Sequence, residues 1–470
     1  MRRRLPAARQ PPPGIRRRRG QPSAHPPGVR THIGGAVKPR DALEPFSLRP
    51  VAQGGLFGAF LASCAIEGAL DVLHAGVGCK GKTQRQLVDH DWGQETHARV
   101  GWTELSEAEW IRDAAEPLVR NGVELFRRRK PELMLVTTSS AVSMTGVDMG
   151  TAVEQLARKV PCPVAFVSGA GDAPDLWAGY AAVIRSLFGL IDWREPVGDR
   201  HAVSFVGYFF HRHEMDQAAN LSELRRLLDA LGATMGPVLL GGERWSSLQG
   251  VHRSGLLLRL PFAGMSAKEM AAVSGRKVLD CALPMGLAAT SRWLRAMGRR
   301  LTLAPERVSR LVEQEEKKTR TRIEMARRVL SGHRLAVLAD TPAAAAWCGL
   351  GLELGMEPVL VALLDRSLGG EAAFEKLLRA SGHQRPRNLR LLAFPSMRRL
   401  RACLLEEGPR PEIVVRPDLS LAGSPWESLP AVESGYPARH RHAVYPCPDL
   451  GYSGVAAQAQ RLLDAWMWCH

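Results

Sequence analysis

Short apolar segments alternate with amphipathic segments along most of this chain. Most of the apolar segments are continuous runs of Val, Leu and Ile, which is typical of strands that are covered on both faces in parallel sheets. The strands predicted on this pattern include Leu133–Thr138, Val164–Ser168, Val203–Phe209, Pro237–Leu240, Gly255–Leu260, Leu335–Ala339, Pro358–Leu363, Leu389–Ala393 and Glu412–Arg416.

Helical periodicity fills the segments between these strands. The predicted helices include Glu107–Arg129, Leu221–Leu231, Ala304–Leu330, Thr341–Leu354 and Gly369–Ser381. Alternating strands and helices indicate βαβ units, so the predicted fold class is α/β with three Rossmann-like, doubly wound domains and parallel sheets. A polar segment at Asp192–Asp199 and the long charged helix that ends near Leu330 predict domains at 41–198, 199–330 and 331–470.

Positive charge is concentrated in residues 1–40, which hold ten Arg, one Lys, eight Pro and no acidic residue. Removing these eleven positive charges from the net charge of +16 leaves +5 for the other 430 residues. Such a segment cannot form a core, so a disordered tail is predicted. An arm that binds nucleic acid is the alternative, but nucleic acid is not expected as a partner.

Several classes of protein are not expected from the remaining composition. No run approaches the roughly 18–20 apolar residues that cross a bilayer, and the short apolar run at residues 55–62 predicts a core helix. The eight cysteines include no CxxC pair, which favours a reduced, cytoplasmic protein. No P-loop or dinucleotide-binding fingerprint occurs.

A cysteine on a glycine-rich turn is the first candidate for chemistry. Gly78 and Cys79 follow an apolar run, with Lys80 and Lys82 close behind. Backbone amides and a nearby lysine would favour the thiolate, which is the form that binds iron or zinc. A tight strand-to-helix turn with an incidental cysteine is the alternative interpretation.

Small hydroxyl residues and histidines form two further candidates. Ser139 and Ser140 follow the strand Leu133–Thr138, where α/β sheets usually bind ligands, although a helix N-cap would also explain a hydroxyl there. His440 and His442 can converge only on a strand or loop because they lie two residues apart. Solvated loop histidines are the alternative.

Several blocks, in this order, resemble the nitrogenase component 1 family. They are Gly58–Cys79, Val100–Ile111, Thr137–Asp148, Gly241–Leu260, Leu283–Thr290, His333–Asp340 and Gly451–Gly454. The family includes the molybdenum–iron protein subunits, the cofactor-assembly scaffold pair and the dark-operative protochlorophyllide reductases. The resemblance therefore implies the nitrogenase component 1 architecture.

The resemblance implies an iron–sulfur cluster at a subunit interface, with Cys79 on a ligand position. Two other ligand positions fall on Gly54 and on Ser139 or Ser140, so the full set of thiolates is missing. Cys64 could substitute, although a buried helix cysteine is the alternative. A smaller cluster shared with a partner subunit is therefore expected.

The family's active cofactor is held by one Cys and one His of the α-type subunit. The corresponding block, His252–Pro261, contains no Cys, while His440 and His442 lie close to the His region. The chain is therefore expected to be β-type, or a scaffold or reductase subunit. An iron–molybdenum-type cofactor or its precursor would be held mainly by the partner.

The resemblance also implies partners and a function. A homologous α-type subunit would complete an α2β2-like heterotetramer, and a separate ATP-dependent iron–sulfur reductase would deliver electrons. The expected function is that of a subunit of a nitrogenase-like oxidoreductase. The alternatives are a subunit of an iron–molybdenum cofactor assembly scaffold, without turnover of its own, and a structural subunit without metal.

Overall fold

The computed structural model describes residues 54–90, 99–209, 214–405, 409–418, 426–436, 438 and 441–468. All of them belong to a unit that runs from Glu44 to His470. The predicted tail at residues 1–40 and His440 lie outside the described residues.

The described strands form three sheets in which every pairing is parallel. The strands are β1 (Ala69–His74), β2 (Val100–Trp102), β3 (Leu133–Thr138), β4 (Val164–Phe166), β5 (Asp199–Val206), β6 (Thr234–Val238), β7 (Ser254–Arg259), β8 (Lys277–Asp280), β9 (Arg334–Ala339), β10 (Glu357–Leu363), β11 (Arg390–Ala393), β12 (Ile413–Arg416) and β13 (Ala431–Glu433). Their orders are β2-β1-β3-β4, β6-β5-β7-β8 and β11-β10-β9-β12-β13. The predicted fold class is confirmed.

Helices connect these strands. They are α1 (Gly55–Cys64), α2 (Val77–His90), α3 (Glu107–Arg112), α4 (Glu116–Arg129), α5 (Ser140–Ser143), α6 (Met149–Ala157), α7 (Leu176–Leu190), α8 (Met215–Leu231), α9 (Trp245–Leu248), α10 (Ala267–Ser274), α11 (Leu287–Arg300), α12 (Pro305–Leu330), α13 (Thr341–Glu353), α14 (Glu371–Ala380), α15 (Met397–Leu405) and α16 (Gly451–Met467), with a 3-10 turn at Gln249–Arg253.

Several elements differ from the sequence prediction. The strand predicted at Val203–Phe209 is Asp199–Val206, and the helix predicted at Leu221–Leu231 begins at Met215. The helix predicted over Glu107–Arg129 is two helices, because Asp113 adopts an extended backbone and Pro117 begins the second one. The strand predicted at Pro237–Leu240 lies earlier, at β6, and Leu240 adopts a left-handed backbone.

The hydrophobic cores do not coincide one to one with the three sheets. One cluster of buried side chains joins β5 and β7 of the second sheet, β9 and β10 of the third sheet, and α16. Another joins β1 and β3 of the first sheet to β7. The domain boundaries predicted from the sequence therefore stay predictions.

Helices α1 and α7 cross at glycines. A Cβ atom on Gly58 would lie 1.7 Å from the carbonyl oxygen of Leu176, and one on Gly179 would lie 1.7 Å from that of Gly55. Only hydrogen fits at these positions. The crossing brings α1 against the start of α7, next to the cavity described below.

Candidate functional site

The Cys79 turn and Ser139 lie at one edge of the first sheet. Strands β1 and β3 pair in register, with His74 opposite Thr138 at their carboxyl ends. The backbone N–H of Ser139 donates to the carbonyl of His74 at 3.4 Å, and Gly76 pairs with Leu105 in a parallel bridge. Ligands of α/β sheets commonly bind at this edge.

Cys79 is half-buried in the first turn of α2. Its backbone N–H donates to the carbonyl of Gly76 at 3.0 Å, and its carbonyl accepts the hydroxyl of Thr83 at 2.8 Å. Gly78 is exposed, with no atom within 4 Å of the Cβ that another residue would add. The turn therefore holds a partly exposed Cys79, which also packs against the hydrophobic core, on a backbone that is fixed by hydrogen bonds.

Lys80 is paired with a carboxylate, so it does not stabilise a thiolate of Cys79 in the way that the sequence predicted. Its ammonium lies 2.5 Å from Glu104 Oε1 and 5.5 Å from the centre of the Trp102 ring. Because this charge is matched by a carboxylate, it offers the thiolate little net stabilisation. The side chain of Lys82 lies outside the described residues.

The two serines at the expected ligand position differ. Ser139 is buried, and its hydroxyl has no hydrogen-bond partner among the described residues. It precedes α5, but its side chain does not cap that helix, so the N-cap interpretation does not account for the hydroxyl. Ser140 is exposed. An unpaired buried hydroxyl is costly, which makes Ser139 the better candidate of the two.

The other expected ligand positions supply no second thiol at this edge. Gly54 precedes α1 and is exposed. Cys64 is buried at the end of α1, within the hydrophobic core, and its carbonyl accepts Arg99 Nη1 at 2.6 Å. Within the part of the chain that the structure describes, no three His, Cys, Asp or Glu side chains converge as a metal site.

Exposed apolar side chains belong to the elements around the Cys79 turn. Val77 begins α2 and is 58% exposed, Met144 ends α5 and is 81% exposed, and Ile111 in α3 is 85% exposed. The elements that carry these side chains follow β1, β2 and β3, so all three belong to the carboxyl edge of the first sheet.

A second candidate site is a cavity at the carboxyl ends of strands from all three sheets. Tyr208 follows β5, Leu283 follows β8, Asp340 follows β9, Tyr436 follows β13, and Trp177 begins α7 after β4. The cavity has adjoining compartments of about 110 and 40 Å³. Sequence reasoning missed it, although the strand-end rule could have found Tyr208 and Asp340.

Aromatic rings and polar groups line this cavity. The rings of Trp177, Phe262 and Tyr208 contact one another, with the Trp177 ring centre 4.4 Å from that of Phe262 and 4.9 Å from that of Tyr208. The hydroxyl of Tyr208 donates to Asp340 Oδ2 at 3.0 Å. The side chain of Gln217 is buried, and its amide nitrogen has no partner among the described residues. This free donor could bind an acceptor on a ligand.

Asp340 is the titratable group of this cavity that can hold a proton. Burial raises its pKa to about 7, and the nearby carboxylate of Asp365 adds to the shift. Burial and the charge of Asp340 raise the pKa of Tyr208 well above its usual value. With a pKa near neutrality, Asp340 is a candidate acid–base group of this cavity.

His442, the predicted histidine ligand that the structure describes, does not line this cavity. It lies beside Glu214, with Nδ1 2.8 Å from Oε1. Arg441, the residue before it, does line the cavity. His252 lies in the 3-10 turn, where Nδ1 is 2.6 Å from the carbonyl of Gln249.

Three parallel sheets, with a cavity at the carboxyl ends of their strands and a cysteine turn at the edge of one sheet, define an α/β protein with Rossmann-like architecture. The sequence model of the nitrogenase component 1 type oxidoreductases matches residues 55–467. The chain belongs to this family, as the sequence resemblance predicted. No helix among the described residues has the length and apolar content that a membrane span needs.

Curated relatives have different roles. The chain is 28% identical to light-independent protochlorophyllide reductase subunit N of Synechococcus sp. (strain RCC307), over 56% of this chain and 62% of the relative. It is 22% identical to nitrogenase iron-molybdenum cofactor biosynthesis protein NifE of Rippkaea orientalis, over 88% and 85%. It is 20% identical to the nitrogenase molybdenum-iron protein beta chain of Bradyrhizobium diazoefficiens, over 90% and 85%.

A solved structure has the same fold. "Nitrogenase Cp1 at pH 6.5" superimposes with a TM-score of 0.75 at 18% identity, and covers 89% of this chain and 93% of that chain. At this identity the likeness concerns the architecture alone.

Proposed function

We propose that this chain is a subunit of a nitrogenase-like oxidoreductase in which Cys79 contributes a thiolate to an iron–sulfur cluster shared with a homologous partner. The observation that carries the proposal is the Cys79 turn, whose half-buried thiol lies at the same sheet edge as the unpaired hydroxyl of Ser139. One thiol and one hydroxyl are too few for a cluster held by this chain alone. Partner thiolates must complete the site.

The surroundings of Cys79 fit such sharing. The apolar side chains of Val77, Ile111 and Met144 stand exposed on the elements around it, and a partner that covered them would also exclude water from the thiolate. When bound, the cluster supplies one-electron transfer. We propose that an ATP-dependent iron–sulfur reductase provides the electrons and that the assembly is α2β2-like and cytoplasmic.

The cavity residues would bind and protonate the molecule that is reduced. Trp177 and Tyr436 provide apolar walls, and Gln217 offers a hydrogen-bond donor. Asp340 holds a proton at a carboxyl oxygen up to about pH 7 and can release it to a bound molecule. Reduction by electrons needs such proton donors, because each added electron is usually balanced by a proton.

An iron–molybdenum-type cofactor does not fit this chain's own cavity. No Cys or His is among the described residues that line it. The block that would carry the ligand cysteine forms the 3-10 turn and β7, with His252 and Arg253 at the end of the turn. Any such cofactor or precursor would be held mainly by the partner.

The second candidate is a subunit of a scaffold that assembles an iron–molybdenum cofactor. The match to the NifE protein of Rippkaea orientalis supports it, with 22% identity over 88% of this chain, compared with 20% over 90% for the nitrogenase beta chain. A scaffold would transfer its cofactor without turnover, whereas a reductase would consume ATP and electrons repeatedly.

The Cys79 proposal can be tested on the native complex. The tagged full-length chain is purified anaerobically with its natural partner, and iron and acid-labile sulfide are measured for wild type and Cys79→Ala. We expect Cys79→Ala to lower iron retention about tenfold or more, since losing even an outer-shell partner of a metal typically reduces affinity about 10–100-fold. Cys162→Ala, which alters another half-buried cysteine away from this edge, is the matched control.

Two outcomes would contradict the proposal. Either the wild-type complex contains no iron, or Cys79→Ala keeps all of it while remaining folded and bound to its partner. Multiple turnover with ATP and a reductase separates the oxidoreductase from the scaffold, which would instead release its cofactor once to an acceptor protein.

A further inference from the structure

A groove of about 430 Å³ lies between helices α11 and α12, away from the Cys79 turn and from the strand-end cavity. Helix α11 contributes Arg292 and Arg295, and α12 contributes Arg320 and Arg327. Nothing in the proposed electron transfer uses these residues. The volume lies within the range of small-molecule sites, about 300–1,000 Å³.

Two of the carboxylates that line the groove, those of Glu353 and Glu324, accept hydrogen bonds from groups other than the groove arginines. Glu353 accepts the backbone N–H groups of Leu287 and Ala288 at 2.7 and 2.8 Å, and His383 Nε2 lies 3.2 Å from it. Glu324 accepts Arg328 Nε at 2.9 Å, and Arg328 is not part of the groove lining. These two carboxylates therefore do little to neutralise the groove arginines.

Among the described carboxylates that line the groove, Glu316 is the one that lies near groove arginines. Glu316 accepts the hydroxyl of Ser291 at 2.6 Å, lies 3.4 Å from Arg320 and lies 3.9 Å from Arg295. Among the described residues, Arg292 donates to the carbonyl of Arg379 at 3.5 Å and pairs with no carboxylate.

Arg327 has no side-chain partner in the part of the chain that the structure describes. Four guanidinium groups thus share one partly committed carboxylate. This imbalance favours a bound anion, since arginine forms charge-assisted bonds to phosphate and carboxylate groups.

The spacing of the charges suggests the shape of the anion. Arg320 and Arg327 are two helical turns apart, which is roughly 10 Å along α12, and Ile323 lies between them. Leu287 of α11 also lines the groove. The arrangement suits a molecule with at least two anionic groups separated by a less polar part.

We propose that this groove binds a small organic polyanion, either a phosphate ester or a polycarboxylate. Arg320 and Arg327 of α12, together with Arg292 of α11, hold its charged groups, and Ile323 and Leu287 contact its uncharged part. A long polyanion such as nucleic acid is disfavoured, because the carboxylates of Glu316, Glu324 and Glu353 line the groove and would repel a continuous run of phosphates.

Calorimetric titration of the full-length chain tests the proposal. The probes are tripolyphosphate, ATP and citrate, which separate phosphate from carboxylate chemistry. The variants are Arg292→Gln and Arg327→Gln, and the expected effect of each is about a tenfold rise in Kd for the preferred probe, since it removes one charge-assisted contact. Arg327→Lys, which keeps the charge but loses the planar fork, should weaken binding less than Arg327→Gln.

Matched controls separate this site from the general basicity of the chain. Arg310→Gln and Arg322→Gln remove the same charge from exposed positions on α12 that do not line the groove, and should leave Kd unchanged. The proposal is overturned if none of the three probes binds. It is also overturned by an equal loss of affinity in the groove and control variants, which would indicate nonspecific attraction to positive charge.

Discussion

At the scale of single residues, two buried titratable groups of β1 favour their neutral forms. Burial raises the pKa of Asp71 to about 7, although the hydrogen bond from the hydroxyl of Thr137, 2.8 Å from Oδ1, acts in the opposite direction. Burial lowers the pKa of His74 to about 4. Both groups lie behind the sheet edge that carries Cys79, so their charges would affect both the fold and a thiolate there.

Asp71→Asn should change how stability depends on pH. The folded-state pKa of Asp71 lies above its usual value of 3.8, so its stabilising effect is present below about pH 4 and is lost as pH rises through about 7. Asn cannot ionise, so the variant does not lose this stability. The free energy of unfolding of the variant minus that of wild type should therefore increase as pH rises. The gain is at most about 4 kcal/mol, from a shift of about 3 pKa units.

Urea unfolding of both proteins at pH 4.5, 6 and 8 measures this difference. The opposite effect of His74, whose stabilisation is lost as pH falls from 6.5 to about 4, is present in both proteins and cancels. Asp172→Asn, at an exposed position, is the control. A difference between wild type and Asp71→Asn that stays constant with pH would show that Asp71 is ionised throughout.

Some of the candidate residues could be predicted from the sequence, and others could not. The glycine-rich turn identified Cys79, because a turn that directly follows an apolar run is expected at the end of a strand. The choice between Ser139 and Ser140 was left open, since burial alone separates them. The hydrogen bond between Tyr208 and Asp340 joins residues that are 132 positions apart in the chain. The local sequence pattern around either residue does not predict such a contact.

At the scale of elements, the α1–α7 crossing depends on glycine for close approach. Gly58→Ala should lower the free energy of unfolding by about 1–3 kcal/mol or more, because the added Cβ would overlap the carbonyl of Leu176 at 1.7 Å. Chemical denaturation measures this. Gly189→Ala in α7 is the matched control, since no atom lies within 4 Å of its new Cβ.

The control should be neutral or slightly stabilising, because Ala is the better helix former by about 1 kcal/mol. If Gly58→Ala were as stable as Gly189→Ala, the two helices would have room to separate, and the close crossing would not matter to stability.

Continuity of the apolar run decided which elements could be predicted. Leu133–Thr138 forms a strand residue for residue as predicted, because all six of its residues are buried and apolar or small. Strand β1 was not predicted, since it buries Asp71 and His74 among its apolar residues. Strand β13 has only three residues, too few for a periodic signal.

At the scale of the whole molecule, the exposed apolar residues around Cys79 are expected to form the partner interface. Under the proposed function, Val77→Glu combined with Met144→Glu should weaken association with the partner at least about tenfold, because charge would be buried without a counter-ion. Co-purification and native mass spectrometry measure the effect.

Met325→Glu is the control for this double variant, since Met325 is a similarly exposed residue on α12. It should assemble normally. Equal association of all three proteins would place the interface elsewhere, whereas loss of folding in the double variant would be visible by circular dichroism before any partner is added.

The core shared by the second and third sheets has a consequence for synthesis of the chain. Helix α16 packs against α8 and α12, and its Tyr452 hydroxyl lies 2.8 Å from that of Ser291. At about 5–20 residues per second, a ribosome needs tens of seconds after completing α8 before α16 emerges. During that interval the nascent second sheet has an uncovered apolar face, and it is the stage at which chaperones have most reason to bind.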